Sequence, residues 1–141
     1  NTKEALSLAY TPGVVLSAQR KMARRARWDA AADAALPTKA EALAQMTALC
    51  RAYYPRFAAS CSGGAFPRIA VRDMRTRWGS CSLKTGTLAF SRRLCVTPPA
   101  AQEYVVVHEF CHFAHPDHSP AFWAAVEAVL PDYRRRQQLL R

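Results

Sequence analysis

The chain lacks any apolar run long enough to span a membrane. Such a span needs roughly 20 residues, whereas the densest apolar stretch here, Tyr104 to Val107, ends at a histidine. The sequence also opens without a secretory signal-peptide pattern. With 141 residues, half of them hydrophobic, we expect one globular domain with no membrane partner.

Cysteine pairs at metal-binding or redox spacing are also absent. The five cysteines are an odd number, widely spaced, and no CxxC occurs. This excludes a disulfide framework of the secreted type and favours a reducing, cytoplasmic compartment. The residues are Cys50, Cys61, Cys81, Cys95 and Cys111.

Acidic residues are scarce. There are 20 Lys and Arg against 10 Asp and Glu, a net charge of +10, and Asp73 is the only acid between Ala42 and Gln102. This excess fits either a polyanion partner, such as non-specifically bound nucleic acid, or a basic protein without one. Five basic residues lie between Arg20 and Arg27, in a stretch without glycine or proline. That stretch predicts a helix with either a solvated or a phosphate-contacting face.

The remaining pattern predicts helices around a small sheet. Thr38, with Glu41 three residues later, indicates a capped helix that runs to about residue 59. Alternating segments at 69–78 and 88–96 predict two strands that pair as a hairpin, with turn residues at 79–82 between them. We therefore expect an α+β domain at 38–141, preceded by an arm and basic helix at 1–37.

The strongest chemical signal is HEFCH, an HExxH motif that starts at His108. On a helix, His108 and His112 lie one turn apart on the same face, where both can bind one zinc ion. Glu109, between them, can act as general base on a zinc-bound water. Apolar neighbours surround these groups, and a bound cation would satisfy all three once buried. The alternative is a core helix with two hydrogen-bonded histidines.

Two residues can supply a third ligand. His115 can lie on the same helix, whereas His118 follows Pro116, which breaks the helix and lets the chain turn back towards the metal. Ser119 then has the character of an N-cap, followed by a proline at the first helical position. We favour His118, which a packed helix follows directly. We expect His115 either to be exposed or to contact one of the metal-binding residues without binding the metal itself. Three ligands leave one position open, as in catalytic zinc sites.

These motifs resemble the YgjP-like predicted metal-dependent hydrolases, which are close to the SprT-like and WLM groups of minimal zincin peptidases. The resemblance spans about half the chain, roughly residues 66–135, and its motifs stand in family order and spacing. The N-terminal section departs from it, because an alanine- and arginine-rich helix replaces the strand-rich section usual in the family. The motifs are VRDMRTRWGSCS (71–82), LAFSRRL (88–94), YVVVHEFCH (104–112), HSPAFW (118–123) and LPDY (130–133).

The resemblance implies a zincin fold in which an antiparallel sheet edge lies above the metal helix. It also implies His108, His112 and His118 as ligands, Glu109 as the base, and a cleft lined by the strand that carries WGSC. An extended peptide or protein substrate can then add to that edge.

The expected reaction is hydrolysis of a peptide bond. The oxyanion needs a second electrophile, and Tyr104, Tyr133, His115 and the arginines within 72–77 all remain candidates. The rival hypothesis is a nucleic-acid-associated module in which zinc is structural, closed by a fourth ligand such as Cys81 or Glu127. A third option is a peptidase that acts on nucleic-acid-bound proteins.

Overall fold

The structure is a computed structural model that describes residues 35–141. The predicted basic helix, with its Arg20–Arg27 segment, lies outside the described residues. Within them, no helix is both long and apolar enough to cross a membrane. Four helices and three strands follow one another: α1 (Lys39–Phe57), β1 (Arg68–Arg72), β2 (Gly79–Ser82), β3 (Thr87–Ser91), α2 (Pro99–Cys111), α3 (Pro120–Val129) and α4 (Tyr133–Gln138).

Helix α1 begins with the expected capping box. The Thr38 side chain accepts a hydrogen bond from the Glu41 amide, and the Glu41 carboxylate accepts one from the Thr38 amide. Two of the amides that a helix start leaves without partners are thereby satisfied. The helix buries Met46 and Cys50 completely, whereas Leu43 is 39% exposed. The division of the chain at residue 37 stays a prediction.

The α+β class is confirmed, but the pairing of the strands differs from the expected hairpin. The sheet order is β1-β3-β2, with β3 antiparallel to β2 and parallel to β1. The sheet is therefore mixed. After β1 the chain forms β2 at the opposite edge of the sheet. It then turns back, and β3 fills the position between β1 and β2.

Both expected strands are shorter than predicted, and the segment assigned to a turn is itself a strand. The first strand ends at Arg72, and the loop that follows is held against the end of β3: the Ser91 hydroxyl donates to the Met74 carbonyl at 3.0 Å, and Arg92 Nε donates to Asp73 Oδ1 at 2.8 Å. Residues 79–82 then form β2, the true hairpin partner of β3. Beyond Ser91 the chain winds into a 3₁₀ helix, Arg92–Val96.

The core lies between one face of the sheet and the helices. On that face, Leu88 and Phe90 of β3 are fully buried and stand opposite Ile69 and Val71 of β1. The C-terminal half of helix α2 is enclosed, because every residue from Tyr104 to Cys111 is at most 2% exposed. The helix begins after Pro98, with Pro99 at the first helical position. Helix α2 thus carries its polar groups through the centre of the domain.

Candidate metal centre

Helix α2 brings three polar side chains into the core at its C-terminal end. His108 and Glu109 are fully buried and His112, which caps the helix, is 2% exposed. The four-residue spacing places both histidines on one face, as the sequence predicts. Burying such groups is unfavourable unless each finds a partner, so their environment determines what they can do.

His118 completes a cluster with the two helical histidines. Its Nε2 lies 3.2 Å from Nε2 of His108, which in turn lies 3.3 Å from Nε2 of His112. In a tetrahedral site with Zn–N bonds of about 2.0–2.1 Å, neighbouring ligand atoms are about 3.3–3.4 Å apart. The separations therefore fit a single small cation at the meeting point of the three nitrogens. Within residues 35–141, this is the one group of three or more potential ligands, and neither Cys81 nor Glu127 joins it.

The hydrogen bond at Nδ1 of His112 determines which of its two ring nitrogens carries the proton. His112 Nδ1 lies 3.0 Å from the backbone carbonyl of His115, an oxygen that can only accept. Nδ1 therefore donates, and in a neutral ring Nε2 keeps its lone pair for a metal. His115 thus contributes its carbonyl, and the structure does not bring its side chain into the cluster.

Aromatic rings hold His118 from two sides. Ser119 caps α3 by accepting from the Phe122 amide, so the turn after Pro116 leads directly into a fixed helix, as expected. Trp123 stacks on the His118 ring with 5.8 Å between centroids, and Phe122 meets it edge-on at 5.0 Å. Phe122 also stacks on His112 at 4.5 Å. The sequence predicts a packed helix after His118, but not that these two rings support the cluster.

Burial keeps the histidine lone pairs available. Desolvation, followed by repulsion from His112 and His118, holds the pKa of His108 well below its usual value. His108 is therefore neutral near pH 7, the form that binds metal. By contrast, burial and the nearby Glu109 raise the pKa of the Cys111 thiol to about 12, so this cysteine within the motif is not a thiolate nucleophile.

The structure argues against one candidate for the second electrophile, Tyr104, and leaves Tyr133 open. Tyr104 is 1% exposed, and its hydroxyl contacts Nδ1 of His108, the nitrogen on the outer side of the ring. Tyr133 stacks on Trp123 at 5.4 Å, and its hydroxyl accepts from Arg134 Nε. The Tyr104 hydroxyl thus meets the outer nitrogen of His108 and not Nε2, whereas Tyr133 stays a candidate for the second electrophile.

Gly79 lets β2 pack closely against α2 beside Glu109, a role that the sequence did not indicate. We expected a bulge or turn at Gly79, yet it opens β2 at the point where this strand crosses α2. A Cβ there would lie 3.0 Å from Val105 Cγ1 and 3.2 Å from Glu109 Cγ, closer than ordinary van der Waals contact. The missing side chain lets β2 approach the helix beside Glu109. Trp78, just before it, packs on the core as expected.

Comparison with known proteins identifies the family. The YgjP-like, metallopeptidase domain matches residues 16–141, most of the chain. The chain belongs to the YgjP-like metallopeptidase family. No curated protein matches this YgjP-like chain. A similar solved structure is the crystal structure of the metallopeptidase zymogen of Pyrococcus abyssi abylysin, with 22% identity, a TM-score of 0.54, and coverage of 67% of this chain and 87% of that one.

The family match and the geometry agree on a coarse description. This YgjP-like protein is a metallopeptidase with the small α+β fold of its structural neighbour, and its substrate is a peptide or protein. A metal ion is implied by the family, and the cluster of three histidines is a fitting place for it. The sequence-based assignment to the YgjP-like group is confirmed.

His118 and His115, the two histidines that follow α2, provide a direct test of the cluster. Replacing His118 with Ala should weaken zinc binding by at least about a hundredfold, beyond the 10–100-fold typical of losing a supporting contact. His115→Ala should leave affinity nearly unchanged, because its contribution is a backbone carbonyl that the substitution keeps. Zinc content after dialysis, together with chelator competition, measures both. The opposite order would mean that the metal lies elsewhere.

Gly79 offers a test of the strand–helix approach. In Gly79→Ala the new methyl should push β2 and Glu109 apart, destabilise the fold by about 1 kcal/mol as overpacking does, and lower kcat while zinc content stays the same. Ser80→Ala is the matched control, because Ser80 points to the opposite face of β2. Thermal unfolding and peptidase kinetics on both variants decide the matter. Equal kcat in Gly79→Ala and Ser80→Ala would remove this role for Gly79.

Proposed function

We propose that this protein is a zinc-dependent peptidase of the HExxH type. His108, His112 and His118 are its metal ligands, and Glu109 is its general base. The observation that carries the proposal is the convergence of the three Nε2 atoms, at 3.2 and 3.3 Å from that of His108, with His108 and His112 buried in the core. The HEFCH motif and the metallopeptidase family support the same assignment.

The donor set favours zinc among the common metal ions. Three imidazoles with no thiolate or carboxylate in the group form the ligand set of several catalytic zinc sites. Zinc in such a site lowers the pKa of a water towards about 7 and polarises a carbonyl group. The absence of Cys81 and Glu127 from the described group argues against the rival hypothesis of a closed structural site.

Glu109 suits the role of proton carrier. It follows His108 directly on α2, so its carboxylate leaves the helix beside the cluster rather than within it. Its side chain is fully buried, and Gly79 of β2 lies against its Cγ. Packing on both sides restricts its rotamers, which holds the carboxylate near the reacting atoms. There Glu109 accepts the proton of the attacking water and delivers it to the leaving amine.

Strand β2 is suited to hold the substrate. It stands at the end of the sheet order and pairs with β3 alone among the described strands. Its first residue touches the helix that carries Glu109. An extended peptide that pairs with the outer edge of β2 would run past the histidine cluster, with main-chain hydrogen bonds supplying affinity for many sequences.

The catalytic role of Glu109 has a simple test. Glu109→Gln keeps the size of the side chain but removes the base, so hydrolysis should fall by about two or more orders of magnitude while zinc remains bound. A quenched fluorescent peptide library measures hydrolysis and elemental analysis measures zinc. Glu127→Gln is the control, since Glu127 lies outside the cluster and should keep full activity. A Glu109→Gln protein that still cleaves peptides would refute the assigned role.

The basic character of the chain supports a second proposal, that the peptidase acts near nucleic acid. Asp73, the sole acid between residues 42 and 102, is already paired with Arg92 at 2.8 Å and lies 3.9 Å from Lys39. The exposed Arg68 and Arg72 lie on one face of β1, four residues apart. Such a basic surface suits phosphate contacts. None of the five cysteines, all within the described residues, forms a disulfide, which supports the proposed reducing cytoplasmic location.

Salt dependence tests this second proposal. The wild-type protein should bind DNA or RNA of any sequence, with log affinity falling linearly as log salt rises. Reversing Arg68 and Arg72 to Glu should weaken binding to all sequences, whereas reversing Arg134 and Arg141 should have less effect at the same net charge. Gel shifts over a salt series measure this. Unchanged binding in the β1 variant, or no binding even at low salt, would eliminate the surface.

A further inference from the structure

A chain of hydrogen bonds reaches the metal centre from the C-terminal helix. Gln137 of α4 donates from its side-chain nitrogen to Tyr104 Oη at 2.8 Å, and that hydroxyl lies 3.2 Å from His108 Nδ1. The Tyr104 side chain lies against the next turn of α2, four residues before His108. The contact on His108 is at the nitrogen opposite to the one that faces the other histidines. The cluster is thus connected to a residue 33 positions beyond Tyr104.

The direction of these hydrogen bonds follows from the donors available. The Gln137 amide nitrogen can only donate, so Tyr104 Oη accepts from it and keeps one more acceptor position. A neutral histidine that binds metal through Nε2 carries its proton on Nδ1. In His108 that proton meets Tyr104 Oη and, because the ring is fully buried, water cannot substitute for the hydroxyl. The tyrosine oxygen is therefore the acceptor that the metal-binding tautomer of His108 requires.

Helix α4 is fastened to α2 close to this chain. Arg136 Nη1 donates to Glu103 Oε1 at 2.8 Å and to the Ala100 carbonyl at 3.1 Å, both on α2, while its Nε donates to Asp132 Oδ1 at 2.8 Å. The Arg136 side chain is only 15% exposed, so these charged hydrogen bonds are shielded from solvent. They keep the neighbouring Gln137 within reach of Tyr104, which makes α4 a support for the position of the tyrosine ring.

We propose that Tyr104 and Gln137 are positioning residues for the metal centre, which orient His108 and favour the tautomer with a bare Nε2. This inference rests on the proposed function, because it assumes that His108 binds the metal. It extends that function to residues outside the motif. A tyrosine that only filled core volume would be replaceable by phenylalanine with no effect on the metal. The proposal instead makes the hydroxyl oxygen itself responsible for part of the zinc affinity.

The first experiment removes that oxygen. Tyr104→Phe keeps the ring but leaves the Nδ1–H of a metal-bound His108 without an acceptor, so zinc affinity should fall by about 10- to 100-fold, as for other supporting hydrogen bonds to metal ligands. Competition with a chromogenic chelator on the full chain measures the affinity. Tyr54→Phe is the matched control, because its hydroxyl donates to the Gly64 carbonyl and contacts no histidine. Its affinity should equal that of the wild type.

The second experiment tests whether Gln137 acts through Tyr104. Gln137→Leu should weaken zinc binding by about two- to tenfold, the scale of one neutral hydrogen bond. In the Tyr104→Phe background it should add no further loss, since its partner is already gone. Circular dichroism of the metal-free proteins checks that the fold persists. If Tyr104→Phe does not fold, the Gln137→Leu measurement decides alone, and wild-type affinity there would overturn the proposal.

The outcomes separate this inference from the proposed function. A wild-type protein that binds no zinc would overturn the metal centre and this inference with it. A wild-type protein that binds zinc, with equal affinity in Tyr104→Phe, would overturn only the positioning role. Additive losses in the double variant would also overturn it, because they would show that Gln137 acts by another route. Coupled losses, together with an unaffected Tyr54→Phe control, support it.

Discussion

The structure depends on one constraint: polar side chains in the buried C-terminal half of helix α2. Tyr104 to Cys111 of α2 are nearly inaccessible, yet His108 and Glu109 lie among them. Desolvation penalises charge there, which is why the pKa of His108 is lowered. Apolar residues at these positions would pack at no such cost. Their presence makes sense when a cation uses the lone pairs that burial keeps free.

The surrounding elements each meet one requirement of that helix. The loop after α2 supplies the third imidazole, and the rings at the start of α3 hold it. Strand β2 approaches closely through Gly79 and restricts Glu109. Helix α4 reaches the outer nitrogen of His108 by way of Tyr104. Local order at the cluster therefore comes from parts of the chain on three sides, which suits a site whose geometry must be fixed before substrate arrives.

Those parts of the fold that follow from local rules could be predicted from the sequence. The capping box at Thr38, the proline start of α2 and the Ser119 cap all depend on residues within one turn. The convergence of His118 with the helical histidines could also be inferred, because Pro116 marks where the chain leaves α2. The family was recognised from motifs in order, which packing arguments alone would not have supplied.

The errors share a non-local origin. The residues near Arg72 do not indicate that β1 will pair with β3. That parallel pairing depends on where the later β2–β3 hairpin packs. The role of Gly79 could not be predicted for a related reason. A side chain there would collide with Val105 of α2, which lies 26 residues further along the chain. For Tyr104, the sequence indicates a residue near the metal centre but not the part that it plays there. Its four-residue spacing to His108 predicts contact, but only the burial of its hydroxyl behind the ring distinguishes a support from an electrophile.

The same arrangement bears on what a metal adds to stability. The core contains stacked Phe57 and Phe110, and the sheet packs its apolar face without using the histidines. In small zinc modules the metal supplies the folding energy outright. Here α2, the turn at Pro116 and the rings of α3 hold the histidines through the protein's own contacts. Zinc should then stabilise the fold by mass action, through RT ln(1 + [L]/Kd), rather than create it. Three ligands held by the protein's own packing suit catalysis better than a structural role.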